Sequence, residues 1–375
     1  MDRFVQIHML THYPPSNPNR DDLGRPKTAI VGGAQRQRIS SQSLKHALRK
    51  SEVFANELAG NLGTRTRMLG TKIFDHLRSK GADEGKAEAI AKLINEVFKK
   101  PKKEKAEKKS KTKNSEDEGD EKDVADSDAL NIAQVAFLSP NEISRALTLA
   151  EDLLQKKDLP KPKDILKGSV FLGVDTVIDI AMFGRMLASS PEFNRDAAVQ
   201  IAHALTTNKV DVEDDYYTAV DDLKTAETDV GAGFVGEAGY GSGVYYVYAC
   251  INCDQLVKNL AGDLALAKVS LGALMRALPI TAPGGKMNSF AQHAKSEFVL
   301  VERGNGQPLN LFSAFAKPVK GEGLMDESIN RLTMQREKFA KCYGASWSSD
   351  KSLNLNKDNS ATLDELVEFA KGAIS

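Results

Sequence analysis

Residues 99–128 hold almost no apolar side chains; the stretch is rich in lysine up to Lys113 and acidic from Glu116. Such a stretch buries too little surface to offset the entropy of ordering it, so it cannot belong to a core. Any fold of this 375-residue chain must carry it as a solvated linker inside an insertion. Its basic and acidic blocks nearly cancel. A bare lysine run could grip nucleic acid, but the composition by itself supports a flexible insertion.

Around this break the pattern alternates between strand and helix signals. Residues 3–11 (Arg3-Phe-Val-Gln-Ile-His-Met-Leu-Thr11) predict a strand with Phe4, Ile7 and Met9 inward. A proline-rich, turn-rich loop follows at 12–33. Ser40 or Ser41 then reads as the N-cap of a helix running to Arg49, with Leu44, Ala47, Leu48 and Phe54 on its buried side. Gln42, Lys45 and Arg49 share its outer face. Amphipathic helices are expected near 62–80 and 85–98, and Ser139-Pro-Asn-Glu-Ile143 opens another running towards Lys157. Residues 174–182 are β-branched and apolar enough for a strand, and 198–205 is a further candidate. Residues 211–229 are acidic, with aromatics at Tyr216 and Tyr217, and predict a protruding loop or hairpin. The clearest strand is 244–251 (Val244-Tyr-Tyr-Val-Tyr-Ala-Cys-Ile251). A long helix over 254–278, a strand at 298–301 and a helix over 327–343 complete the reading. Strands interleaved with helices point to an α+β fold whose insertion carries the helical block.

Charge is informative only locally. The whole chain balances 51 basic against 51 acidic residues. Residues 1–50 carry nine basic residues and only three acids, a net +6. Local charge sets the field a polyanion meets at close range. The densest patch runs through Asn17-Pro-Asn-Arg-Asp-Asp-Leu-Gly-Arg-Pro-Lys27 and on from Val31 to Arg49. Arginine and lysine offer charged donors to phosphate; serine hydroxyls, the Gln42 amide and a free helix N-terminus offer neutral ones. Such groups hold a backbone without reading bases. The competing reading of these residues is a solvated loop and an exposed helix face. No apolar run approaches the length of a membrane span, and the mixed N-terminus argues against a signal peptide, so a cytoplasmic protein is expected.

These same residues carry a resemblance. Pro14-Pro-Ser-Asn-Pro-Asn-Arg-Asp-Asp22, Gly32-Gly33 and Arg38-Ile-Ser-Ser-Gln-Ser-Leu-Lys-His-Ala-Leu-Arg49 resemble the N-terminal signature of CasC-type subunits. Those subunits, of the RAMP superfamily, form the repeated backbone of the type I-E CRISPR surveillance complex, Cascade. Residues 177–186 resemble the family's mid-chain strand, 201–207 and 216–223 the approach to its thumb, and 242–248 the strand after it. The linker departs from the pattern, and the tail beyond Leu309 matches loosely. The resemblance implies an RRM/ferredoxin-like palm over 1–60, 170–205 and 236–375, with helical fingers over 61–169 and a β-rich thumb over 206–235. It implies that Arg20, Lys27, Ser40, Gln42, Lys45 and Arg49 hold guide-RNA phosphates. Met186 would pack against a displaced nucleotide, Thr206 and Thr207 would bind RNA from the thumb, and Tyr216 and Tyr217 belong to the thumb. The implied partners are guide crRNA, the target DNA strand, further copies of the chain and other Cascade subunits. No catalysis, cofactor or metal is implied. The aromatic consensus of ordinary RRMs is missing, which favours gripping the backbone over stacking bases.

Other chemistry is weaker. Gly231-Ala-Gly-Phe-Val-Gly236 spells a dinucleotide fingerprint, yet a strand follows it instead of a helix. Cys250 and Cys253 end a strand with opposite orientations, which suits buried thiols better than a metal or redox pair. The six histidines show no ligand spacing; His203, beside the expected thumb, is the one that stands apart. The main rival is a metal-dependent endoribonuclease built on Asp211, Glu213, Asp214, Asp215, Asp221 and Asp222. Its bland counterpart is a set of acids that face water or pair with basic side chains.

Overall fold

A computed structural model describes residues 1–98, 130–132, 135–173, 175–219 and 234–375. The linker expected at 99–128, residues 231–233 of the glycine motif, and Asp221 and Asp222 lie outside the described residues. In chain order the elements begin with β1 (Phe4–Ser16), β2 (Thr28–Val31), β3 (Ala34–Ile39), α1 (Ser41–Lys50) and α2 (Glu52–Glu57). Then come β4 (Thr64–Thr66), α3 (Leu69–Ser79), α4 (Glu84–Asn95), β5 (Ala136–Leu138), α5 (Pro140–Leu154) and α6 (Ile178–Phe183). The next elements are β6 (Val199–Ile201), β7 (Ala204–Thr206), β8 (Glu213–Ala219), β9 (Phe234–Asn252), α7 (Cys253–Asn259) and α8 (Leu264–Ala277). The chain ends with α9 (Met287–Phe290), β10 (Phe298–Gly304), α10 (Leu324–Tyr343), β11 (Ser349–Asn354) and α11 (Leu363–Lys371).

Two compact units result, one from Met1–Ala59 with Ala198–Ser375 and one from Gly60–Ala197. The first is built on an antiparallel sheet in the order β11-β10-β1-β9-β7-β3-β2, with β6 and β8 also paired to β9. This is the expected α+β class. Strand β1 runs on past the expected stop at Thr11 as far as Ser16, and its pairing with β9 becomes irregular between Tyr13 and Ser16. Pro14 and Pro15 fall there and lack the N–H a regular ladder needs. Phe4, Ile7 and Met9 were expected inward; Phe4 is only half-buried, whereas every residue from Val5 to Thr11 is buried. The reason is its central place in a sheet covered on both sides. Leu10, Tyr246, Tyr248, Phe298 and Leu300 pack with Leu311, Phe315, Ile329 and Leu332. Met9 and Val247, on the opposite face, meet Leu44 and Leu48 of α1.

The helix expected over 254–278 is broken in two. Ala261 and Gly262 take positive φ values of 58° and 87°, and Asp263 then caps α8 by accepting from Leu266 N at 2.8 Å. The stop and the new cap were both in the sequence, hidden by apolar residues on either side.

The second unit has its own core, in which Leu69, Ile73 and Leu77 of α3 meet Ile90 and Ile94 of α4 and Ala146 and Leu153 of α5. Its first helix starts later than expected because 64–66 pairs with β5 as a short strand. Ser139 caps α5 in a full capping box with Glu142, as the sequence foretold. The strand expected at 174–182, and matched to a mid-chain strand at 177–186, is instead the helix α6. A short apolar run does not distinguish strand from buried helix by periodicity. Here Asp179 Oδ1 accepts from Gly63 N at 2.8 Å and Ile180 N at 3.1 Å, holding the helical turn. Val170, Phe171 and Leu187 join this core, and the chain up to Ala197 groups with the helical insertion.

Candidate nucleic-acid interface

The loop over residues 17–27 is held by its asparagines. Asn17 is fully buried, and its Nδ2 donates to Gly24 O at 3.0 Å and to Gly239 O of β9 at 2.9 Å. Asn19 O accepts from Lys27 N at 2.8 Å, while Asn19 Oδ1 accepts from Ser40 N at 2.9 Å. One residue therefore fixes the spacing between Arg20, Lys27 and the start of α1. Asp21 is consumed internally, its Oδ1 accepting from Leu23 N and Arg25 N. Gly32 and Gly33 both take positive φ in the tight turn between β2 and β3.

Ser40 is the cap of α1, its Oγ accepting from Ser43 N at 3.2 Å. That role uses the oxygen as acceptor and leaves the O–H as a donor. The first turn of α1 contains no acid, so its free N–H groups keep an unopposed pull on anions. Leu44 and Leu48 are buried as expected, and Gln42 is exposed with Lys45 and Arg49 half-buried. Partial burial and the neighbouring Arg49 charge pull the Lys45 ammonium below its ordinary pKa. An anion brought alongside would offset both effects.

A groove of about 910 Å³ opens between the 17–27 loop, α1 and residues 281–285. Arg20 lines it together with Ser43, His46 and Lys50. At roughly 100° per residue these helix positions lie a quarter-turn round from Gln42, Lys45 and Arg49. The expected phosphate donors thus fall on two adjoining faces of α1. Sequence reasoning missed His46, Lys50 and the 281–285 loop. The loop's one signal was the Pro283-Gly-Gly285 turn, where a side chain at Gly285 would collide with Pro18 O.

Thr206 and Thr207 need correction as RNA-facing residues, because both are fully buried. Thr206 Oγ1 accepts from Gln37 N and donates to Asn208 O, and Thr207 Oγ1 bonds Ser328 Oγ at 2.9 Å. Their carbonyls accept from the buried Arg36 guanidinium, which also donates to Phe315 O. These threonines form the root of the hairpin made by β8 and β9. Beyond the root, every residue of β8 is exposed. Tyr216 and Tyr217 are 73% and 45% exposed, as are Phe234 and Val235 across the hairpin at 57% and 60%. The Tyr217 ring lies over Gly236 and tilts against Phe234 at 6.2 Å.

Met186, in the second unit, is 82% exposed. Its neighbours explain why it stays there. Arg185 is buried in an ion pair with Glu142 at 2.6 Å, and Leu187 N donates to Asn194 Oδ1 at 2.6 Å. Anchored on both sides, the Met186 side chain has only solvent to face.

The described acids of the hairpin are largely engaged. Asp211 pairs with Lys209 at 2.8 Å and Asp214 with Arg25 at 2.8 Å, while Glu213 accepts from Tyr240 Oη at 3.1 Å. Among the described residues no three His, Cys, Asp or Glu side chains are grouped to hold a metal. Cys250 and Cys253 are separate buried thiols, as expected. No helix of the described residues is long and apolar enough to cross a membrane.

Comparisons with known proteins point one way. No curated protein matches the sequence. A chain of a CRISPR RNA-guided surveillance complex in a pre-nicking state superposes with a TM-score of 0.82 at 30% identity, covering 99% of this chain and 100% of that one. A chain of a second CRISPR RNA-guided surveillance complex gives a TM-score of 0.70 at 25% identity, over 99% of both chains. The family model described as CT1975-like protein matches residues 5–371, and so the chain belongs to the CT1975-like family.

Proposed function

We propose that the protein is the repeated backbone subunit of a type I-E CRISPR Cascade complex, binding guide crRNA along its phosphates. The observation that carries this reading is the shared anchoring of Arg20, Lys27 and Ser40 through Asn19, beside an acid-free helix start. Rigid donors of this kind fit a repeating phosphate ligand, and none of them is arranged to read a base edge. Arg20, Lys27, Ser40, Gln42, Lys45 and Arg49 hold the guide backbone. Met186 packs against a displaced nucleotide, and the exposed hairpin with Tyr216 and Tyr217 serves as the thumb. Sequence reading then falls to pairing between guide and target DNA strand. Further copies of the chain and other Cascade subunits complete the assembly, in the cytoplasm and without catalysis by this subunit. The likeness to chains of two CRISPR RNA-guided complexes supports this assignment.

The test is to express the chain with a CRISPR array and its partner subunits, extract RNA from the purified complex, and assay cleavage of complementary RNA with Mg²⁺. A stoichiometric guide RNA without cleavage is expected. Cleavage lost in Asp211→Ala or Asp215→Ala would make the subunit a nuclease. A complex that purifies without RNA would end the RNA-binding reading.

A further inference from the structure

His203 sits in the two-residue connection between β6 and β7, and the backbone on both sides of it is fixed in the sheet. Ala202 N donates to Tyr248 O at 2.9 Å, and Ala204 pairs with Ile39. The side chain itself is exposed. Its Nδ1 lies 3.2 Å from Arg38 Nη1. A guanidinium only donates, so Nδ1 must accept and the ring carries its proton on Nε2. Among the described residues Nε2 has no hydrogen-bond partner. Arg38 is held in turn, its N donating to Lys27 O at 2.8 Å.

The surroundings are cationic. Arg38 on β3 and Lys27 ahead of β2 both act on the ring, and together with partial desolvation, the largest cause, they lower its pKa. Helix α1, packed on β6, contributes Lys45, His46, Arg49 and Lys50 and no acid. Strand β9, the partner of β6 and β7, offers there only Tyr245, Tyr246, Tyr248 and Cys250, all buried. In the empty protein the ring therefore gives up its proton more readily than an ordinary histidine, and its Nδ1 faces the Arg38 guanidinium.

We propose that His203, Arg38 and Lys27 form a phosphodiester site that takes up one proton from solvent when RNA binds. The inference rests on the RNA-binding reading above and adds to it a ligand residue and a proton linkage. Protonating Nδ1 converts it from acceptor to donor and breaks the bond to Arg38. The guanidinium and the new Nδ1–H, which face one another, are then free to donate to the two oxygens of one phosphate. The bound phosphate supplies the negative charge that makes the imidazolium favourable. Affinity therefore rises as pH falls from the ring's pKa in the complex towards its lowered pKa in the empty protein, by at most about tenfold per pH unit for one proton.

The experiment measures binding of the full-length protein to a synthetic single-stranded RNA by fluorescence anisotropy, at constant ionic strength, between about pH 5.5 and 8. Wild type should bind more tightly towards low pH, and His203→Gln, a polar, non-titrating change at an exposed position, should flatten that dependence. His46→Gln tests the groove histidine as the alternative source. A slope kept in His203→Gln, or lost in His46→Gln alone, overturns the proposal and leaves RNA binding standing. A wild type that binds with no pH dependence does the same. A wild type that binds RNA at no pH removes the RNA reading and this inference together.

Discussion

Lys45 and Arg49 stand one turn apart on α1, where each is half-buried and each lowers the cost of bringing an anion to the other. Lys45→Ala and Arg49→Ala should weaken binding of any single-stranded RNA alike. Each should also flatten the log–log salt dependence by roughly 0.7 for every phosphate no longer neutralised. Salt titrations on two unrelated RNA sequences check this, and a weakening confined to one sequence would contradict it. A different residue governs acid stability. Glu302 is buried, which by itself raises its carboxyl, but hydrogen bonds from His8 and Arg336 outweigh this and hold it below the usual range. The stability it contributes is therefore complete above the ordinary glutamate value of about 4.3, and drains as pH falls through the lower folded value. Unfolding free energies measured from about pH 5 downwards should fall more steeply in wild type than in Glu302→Gln. The histidine–tyrosine–glutamate–arginine chain through His8, Tyr246, Glu302 and Arg336 was invisible in the sequence, because its members come from four elements.

The hairpin of β8 and β9 shows how an element can be held at its root and bare at its end. At the root, Arg36 is buried and donates to three carbonyls, those of Thr206, Thr207 and Phe315. Arg36→Met should strip the Thr206 and Phe315 carbonyls of this donor at about 1 kcal/mol or more each, while Thr207 O keeps Val319 N, lowering stability by about 2 kcal/mol in urea unfolding. At the exposed end, Tyr216→Ser and Phe234→Ser remove side chains that bury little, and should leave stability within about 0.5 kcal/mol in the same assay. The same two changes test whether the hairpin aromatics serve binding and not folding. Sequence patterning anticipated a protrusion here because β8 has no apolar alternation to bury. It misread α6 because a short apolar run is compatible with either period, and only tertiary bonds such as that of Gly63 with Asp179 choose between them. The long α7–α8 segment failed in the opposite way: good helical periodicity hid the glycine stop at Gly262.

At the scale of the whole molecule, the chain leaves the sheet unit after Ala59 and returns to it at Ala198. All strand pairings of the large sheet lie within that unit. Replacing residues 60–197 by a short flexible linker should therefore leave a folded sheet unit, checked by a cooperative unfolding transition and retained near-UV signal. Loss of cooperativity would show that the insertion is needed for the sheet. Residue order alone determined much of this architecture: the caps at Ser40 and Ser139, the strand at 244–251, and the basic, acid-poor character of residues 1–50. Those features depend on neighbours within a turn or on the periodicity of one segment, so they are legible before any folding. Tertiary structure decided the rest. It buried Thr206 and Thr207, moved 170–197 to the helical unit, and set Arg20 against a different face of α1 from the one that carries Lys45. It also joined Asn17 to Gly239 and Arg38 to His203, pairs 222 and 165 residues apart. No local pattern encodes such a meeting; it exists only once the strands between have paired.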